Sequence, residues 1–165
     1  MNIINKFNSV TPERKSVTDT WITPKWIIDE IGPFDLDPCA FLIEGNPIVK
    51  TANHFITEEQ DGLKQDWFGN VFCNPPYSDL KSWMDKMNKH GNGIVLCFAR
   101  TETQAWQNNM SNATGINLIH RRIKFLNDKG EEQGNGNAPS ALIAYGEENF
   151  QRIKKIKGIH CRVEK

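Results

Sequence analysis

The tetrapeptide Asn74-Pro75-Pro76-Tyr77 is the strongest candidate for chemistry in this sequence. Two consecutive prolines fix two φ angles at about −65° and remove two amide donors, which leaves the carbonyls of Asn74 and Pro75 as outward-facing acceptors. The Asn74 side chain adds another oxygen, and Tyr77 adds a ring on which a planar group can stack. This turn, which we call the proline turn (residues 74–77), therefore suits a planar heterocycle or amide that carries an NH2 group.

Fixed acceptors can change how such an NH2 group reacts. Its nitrogen lone pair is delocalised, and oxygens that hold both hydrogens can turn the group until the lone pair points at an electrophile. The same oxygens stabilise the positive charge that develops on nitrogen, so alignment replaces a strong base. The proline turn thus indicates attack by an aromatic amine on an activated alkyl group. The alternative is an ordinary strand-ending turn in which Tyr77 only packs.

A second candidate lies at residues 34–37, where apolar and acidic side chains alternate. The stretch ends in Asp37, and Pro38, Cys39 and Ala40 follow it. A carboxylate at the end of a strand can bind an ammonium or hydroxyl group, and small neighbours let a ligand approach the backbone. A capping Asp before a helix is the alternative.

Length and composition favour one globular domain. The chain has 165 residues, of which 38% are hydrophobic and 10% aromatic, enough for a real core. We expect a loose arm at residues 1–17 and a single domain at residues 18–165. No apolar stretch is long enough for a membrane span, so we expect a cytoplasmic protein. The four cysteines are far apart and show no metal-ligand spacing, so we expect neither a zinc site nor disulfides.

Periodicity and turn residues predict alternating helices and strands. Helices are predicted at residues 24–31, from Ser78 onward, at 103–110 and at 147–157. Strands are predicted at residues 34–37, 71–73, 93–98, 116–120, 123–126 and 141–145, with one further strand in the tail and a loop at 130–139. Thr23 is predicted to cap the first helix, with Trp26, Ile27 and Ile31 on its inner face.

This alternation predicts an α/β fold, with a mostly parallel sheet and helices on both of its faces. Ligands bind such sheets at the carboxyl ends of the strands. Both candidate stretches directly follow predicted strands, so we expect them at the same edge of the sheet.

The proline turn resembles the [DNS]-P-P-[YFW] motif of amino-methyltransferases, and the chain as a whole is similar to phage-type DNA N6-adenine methyltransferases of the Dam family. The similarity runs in order through residues 19–24, 34–40, 61–63 with Trp67, 71–77, 100–103 with Trp106, 122–125 and 140–146. The resemblance implies a Rossmann-like, S-adenosylmethionine-dependent methyltransferase fold. It further implies methyl transfer from S-adenosylmethionine to the N6 amine of adenine in double-stranded phage or prophage DNA, in a bacterial host cell.

The resemblance also assigns roles by matching position. Asn74 and the Pro75 carbonyl would hold the amine, Pro76 would rigidify the turn, and Tyr77 would stack on the base. The residues it places at the cofactor are Trp21, Thr23, Pro24, Asp37, Pro38, Cys39, Ala40, Asp61 and Asn74. The sequence departs from the pattern because no Gly-x-Gly follows the first strand and no acidic residue clearly ends a second strand to hold the ribose.

An adenine inside duplex DNA must be flipped out before its N6 can react. Basic side chains are concentrated at the C-terminal end, since residues 1–119 carry 10 basic and 14 acidic residues whereas residues 120–165 carry 10 basic and 6 acidic. We therefore expect phosphate contacts from this part and from the end of the strand at 93–98. The candidates are Arg100, Arg121, Arg122 and Lys124, and then Arg152, Lys154, Lys155 and Lys157, for which a solvated helix face is the alternative. We expect a monomer or weak dimer without a metal.

Other acceptors fit the same tetrapeptide. Cytosine N4, an RNA guanine and a protein glutamine each present a planar amine, and the motif alone does not separate them from adenine. A non-catalytic nucleic-acid-binding module with this fold is a further alternative, against which the intact proline turn argues. The sequence does not specify which DNA site is recognised.

Overall fold

The structure is a computed structural model that describes residues 21–134, 136 and 138–164. The predicted arm at residues 1–17 lies outside this part. A seven-stranded sheet in the order β4-β1-β5-β6-β8-β7-β9 organises the chain. Its strands are Leu36–Asp37 (β1), His54–Phe55 (β4), Val71–Cys73 (β5), Gly93–Phe98 (β6), Gly115–Ile119 (β7), Ser140–Tyr145 (β8) and Gly158–Arg162 (β9). A separate hairpin pairs Leu42–Ile43 (β2) with Asn46–Pro47 (β3).

The sheet is largely parallel, as the sequence predicted. Strands β4, β1, β5 and β6 run side by side in one direction. Strand β8 is antiparallel to both β6 and β7, so β7 shares the direction of the first four, and β9 runs antiparallel to β7. The reversal confines the parallel ligand-binding edge to the half of the sheet built from β4, β1, β5 and β6.

Helices cover both faces of the sheet. They are Lys25–Ile31 (α1), Leu80–His90 (α2), Gln104–Asn109 (α3) and Glu147–Ile153 (α4). All six residues of β6 are buried, because alternate side chains enter different cores: Ile94 and Leu96 pack with α1 and α4, whereas Val95 and Cys97 pack with α2 and α3. Burial on both faces explains why β6 reads as an uninterrupted apolar run.

The first helix differs from its prediction in two details. Pro24, not Thr23, is the N-cap residue, and no side chain caps the helix. Trp26 is 48% exposed, and Ile28 takes its place beside Ile27 and Ile31 on the buried face. The Thr23 hydroxyl is engaged elsewhere, by Asn74, so it does not serve as the cap.

Other predicted boundaries also change. The predicted strand at residues 123–126 does not form. Ile123 and Phe125 are buried, whereas Arg122 and Lys124 are exposed. Only Leu126 forms bridges, to Ile22 and to Glu132, so the alternation comes from packing against the core. Helix α2 has Asp79 instead of Ser78 as its N-cap residue, α4 ends at Ile153, and β1 is two residues long. Within the described residues, no helix is long and apolar enough to cross a membrane.

Candidate active site

The two candidate stretches meet at one edge of the sheet. Leu36 of β1 is the register partner of Val71 in β5, so the turns that follow these parallel strands lie side by side. They border a cavity of about 420 Å³, a size typical of small-molecule sites. Every residue predicted to contact the cofactor except Pro24 lines this cavity: Trp21, Thr23, Asp37, Pro38, Cys39, Ala40, Asp61 and Asn74, together with Pro75 and Pro76.

Asp37 places a carboxylate in the cavity wall. Its side chain is buried, and it accepts hydrogen bonds from the Thr51 hydroxyl (2.5 Å) and the Cys39 amide (3.1 Å). Burial raises the pKa of Asp37 to about 6, although the Thr51 and Cys39 donors lower it. The group is therefore still ionised at neutral pH, and a buried anion with two donors on one side is suited to a cation on the other.

In the Asn74 side-chain amide, the nitrogen is hydrogen-bonded and the oxygen is not. Its Nδ2 donates to the Trp21 carbonyl (2.5 Å) and to the Thr23 hydroxyl (3.1 Å). Its Oδ1 is buried and has no hydrogen-bond partner. An orphaned buried acceptor in a cavity wall is costly unless a ligand donates to it. The arrangement thus offers an oriented acceptor to an N–H group.

The rest of the proline turn is rigid and aromatic. Pro75 is buried, and Pro76 leads directly into a short 3-10 turn at Tyr77–Asp79. The Tyr77 ring is stacked on Phe98, with centroids 4.2 Å apart and planes 11° apart. Its hydroxyl is buried without a partner, and burial raises the pKa of Tyr77 well above its usual value. Phe98 therefore covers one face of the ring, and the hydroxyl stays protonated.

Aromatic residues from separate parts of the chain surround Phe98. The Trp21 ring lies edge-on to Phe98 and to Phe125, at centroid distances of 6.3 and 5.8 Å. Gly136 is buried against the Phe98 ring, since a Cβ built there would lie 2.5 Å from the ring. Gly136 thus contacts the aromatic cluster, and a larger residue at this position would require the Phe98 ring to shift.

Two neighbouring thiols lie beneath the proline turn. The sulfur atoms of Cys39 and Cys73 are 3.6 Å apart. This contact, together with burial, holds the pKa of Cys39 well above its usual range. Both are small side chains that fill the space beneath the turn. Beside them, a Cβ on Gly62 would collide with the Pro38 carbonyl oxygen. Glycine at this position therefore lets the segment around Gly62 approach the turn that follows β1.

Asp61 lines the cavity, but its carboxylate is already engaged. One oxygen accepts from the Leu63 amide (3.1 Å), and the other pairs with Lys64 at 2.8 Å, which lowers the pKa of Asp61. Exposed Glu58 lies nearby in the cavity wall, shortly after β4. Sequence reasoning missed Thr51 and Glu58. Both lie in a stretch without periodicity, and only their neighbours in the fold identify them.

The predicted phosphate-binding residues differ in how free they are. Arg100 and Arg121 are exposed. Arg122 donates to the Gly136 carbonyl at 3.0 Å, and Lys124 forms an exposed ion pair with Glu132 at 2.8 Å. By contrast, Arg152 bonds the Pro33 and Ile31 carbonyls and pairs with Glu148: a structural role instead of a free cation.

Comparison with known proteins identifies the family of this chain. Residues 9–163 match the family described as DNA N-6-adenine-methyltransferase (Dam). The chain is also similar to the DNA N-6-adenine-methyltransferase of Haemophilus phage HP1 (strain HP1c1). The two are 34% identical over 145 residues, a match that covers 80% of this chain and 81% of that protein.

Proposed function

The chain belongs to the DNA N-6-adenine-methyltransferase (Dam) family, and from this premise we propose that it transfers a methyl group from S-adenosylmethionine to the N6 amine of adenine in double-stranded DNA. The reaction takes place at the proline turn. One observation carries the proposal: the buried Oδ1 of Asn74 has no partner, while its Nδ2 is held by two acceptors. An amino group entering the cavity supplies the missing donor.

The cavity fits the proposed cofactor. When bound, S-adenosylmethionine supplies a methyl carbon activated by a positively charged sulfonium. Asp37 would hold its ammonium group, and Cys39 and Ala40 would allow the methionine end to approach the backbone. Glu58 and Asp61 are the acidic residues of the wall that could accept from ribose hydroxyls or the adenine amine. Glu58 would then be the ribose-binding carboxylate that could not be identified from the sequence at the end of a second strand.

The proline turn would align the target amine. Asn74 Oδ1 and the Pro75 carbonyl accept the two N6 hydrogens, which localises the nitrogen lone pair and stabilises the charge that develops on nitrogen. The proton released after transfer passes to water, so no strong base is required. Tyr77 is stacked on Phe98 and is not among the residues that line the cavity; it would stack on the base once the base is flipped into place.

Exposed cations near this edge would hold the phosphates. Arg100 follows β6 directly, and Arg121 and Arg122 follow β7. Phosphate contacts fix the position of the duplex and carry no sequence information themselves. The natural location for this activity is the cytoplasm of the bacterial host, where the DNA is.

Methyl-labelled S-adenosylmethionine tests the proposal when it is offered with duplex DNA, RNA and protein as separate acceptors. We expect label only in DNA, and only as N6-methyladenine after hydrolysis to nucleosides. Asn74→Ala is the control, because it removes the acceptor oxygen without altering Asp37. Label in N4-methylcytosine, RNA or protein would overturn the assignment of the substrate. DNA binding without any transfer would identify a non-catalytic binding module.

A further inference from the structure

We infer that Thr23 and the backbone carbonyl of Trp21 form a clamp that fixes the catalytic orientation of the Asn74 amide, with Thr23 as a positioning residue. The inference rests on the proposed function, because that function requires Asn74 to present oxygen to the substrate. It assigns Thr23 a role distinct from the cofactor contact predicted from the sequence.

The clamp works because its two members have different hydrogen-bonding properties. A backbone carbonyl can only accept, so the Trp21 carbonyl at 2.5 Å requires the nitrogen of the amide and repels its oxygen. A hydroxyl can accept or donate, so Thr23 at 3.1 Å does not choose between them. Thr23 instead gives Nδ2 a second anchor, which restrains rotation of the amide. The carbonyl thus selects the orientation, and Thr23 maintains it.

The segment that carries the clamp is itself held in place. Ile22, between the two clamp residues, exchanges two backbone hydrogen bonds with Leu126, at 3.0 and 2.9 Å. Pro24 then begins α1, and the Thr23 side chain is buried. Since the clamp residues are 53 and 51 positions away from Asn74 in the chain, only the fold brings them together.

Reversal of the amide would stop the reaction. In that orientation Nδ2 would face the substrate, and two NH2 groups would meet without an acceptor between them. The Oδ1 atom would also lie against the Trp21 carbonyl oxygen. Trp21, Thr23 and Asn74 all line the cavity, but the clamp sets which Asn74 atom faces the substrate, and therefore we expect it to act mainly on the chemical step.

Three substitutions separate the clamp from other roles. Thr23→Val keeps the side-chain shape and removes the hydroxyl, whereas Thr23→Ser keeps the hydroxyl. Asn74→Asp keeps an acceptor oxygen but, when ionised, puts a second oxygen against the Trp21 carbonyl. We expect Thr23→Val to lower kcat about tenfold, the equivalent of one neutral hydrogen bond, with Thr23→Ser close to the parent. The kcat of Asn74→Asp should fall by at least the same factor. The Kd for the cofactor should stay within about twofold of the parent value in all three variants.

A spectroscopic measurement reports on the clamp without turnover. The side-chain NH2 signals of Asn74 in a ¹⁵N-labelled protein are identified by their absence from Asn74→Ala. We expect them to be protected from exchange with water in the parent and in Thr23→Ser, and less protected in Thr23→Val. Thermal melts establish that each variant is folded before its rate is interpreted.

The outcomes are distinct. A Thr23→Val enzyme with unchanged kcat, or one that only binds the cofactor more weakly, overturns the clamp, as does a fully active Asn74→Asp. If the parent transfers no methyl group, the proposed function fails. The NMR signals then still decide whether the clamp exists, since unprotected Asn74 hydrogens in the parent would rule it out.

Discussion

At the level of single residues, Asp37 is a carboxylate that burial makes costly to ionise, in a position where the proposed cofactor needs a negative charge. Its pKa is raised from 3.8 to about 6. A raised pKa means that the folded state favours the protonated form. The contribution of Asp37 to the free energy of unfolding is therefore fully present below the unfolded pKa, and it is lost as the pH rises through about 6. At neutral pH the protein therefore gives up stability to keep an anion in the cavity.

Asp37→Asn should stabilise the cofactor-free protein at neutral and higher pH. The neutral amide removes the cost of burying a charge, which a shift from 3.8 to about 6 places at no more than about 3 kcal/mol. Urea unfolding at about pH 8 measures the gain, and it should vanish at about pH 3, where wild-type Asp37 is protonated as well. Exposed Asp66→Asn is the matched control. Equal stability of wild type and Asp37→Asn at both pH values would contradict this account.

Cofactor affinity should follow the ionisation of Asp37. We expect S-adenosylmethionine to bind more weakly as the pH falls through about 6, since protonation removes the partner of the ammonium group. Calorimetric titrations across this range measure the effect. Asp37→Asn should bind weakly throughout and lose the pH dependence, whereas a wild-type Kd that does not change with pH would show that Asp37 does not bind the ammonium.

At the level of elements, the sequence predicts best where a pattern is long. Burial on both faces makes β6 an apolar run of six residues, and α2 repeats buried Trp83, Met84 and Met87 at helical spacing. Strands β2, β3 and β4 have two residues each, too few for any alternation to appear. The meeting of Asp37 with the proline turn was predictable because parallel strands end at one edge. The stack of Tyr77 on Phe98 was not, since no local pattern links them.

Gly136 should influence the position of the Tyr77 ring through its contact with Phe98. A Cβ at this position would lie 2.5 Å from the Phe98 ring, and overpacking of this kind typically costs about 1–3 kcal/mol. We expect Gly136→Ala to push Phe98 towards Tyr77 and to lower the rate of methyl transfer about tenfold, with cofactor Kd unchanged.

The smaller side chain in Phe98→Leu relieves this contact. Added to Gly136→Ala, it should restore part of the lost activity, as measured by kcat/KM of the single and double variants. Strictly additive losses would show that the two residues act independently.

At the level of the whole molecule, net charge is zero, so attraction to DNA depends on where the cations lie and on which are free. Many basic side chains of the C-terminal part are engaged within the protein: Arg152 holds the Pro33 carbonyl, and Arg162 forms a two-bond pair with Glu147. Composition located the basic part of the chain, but it could not tell free cations from engaged ones.

The salt dependence of DNA binding separates these two groups. Arg121→Ala should weaken binding and reduce the slope of log K against log salt by about 1, the value for one lost phosphate contact. Arg152→Ala, the matched control, should lower stability and leave the slope unchanged. Fluorescence anisotropy of labelled DNA at several salt concentrations measures the slope for both variants. Equal slopes for Arg121→Ala and wild type would show that Arg121 does not contact a phosphate.

The central claim is that the Asn74 oxygen directs methyl transfer to adenine N6. Sequencing genomic DNA from cells that express the wild type or Asn74→Ala, with a method that detects N6-methyladenine, tests it most directly. The wild type should add N6-methyladenine within a defined sequence context, and Asn74→Ala should add none. Equal methylation by both proteins, or new N4-methylcytosine in place of N6-methyladenine, would contradict the claim.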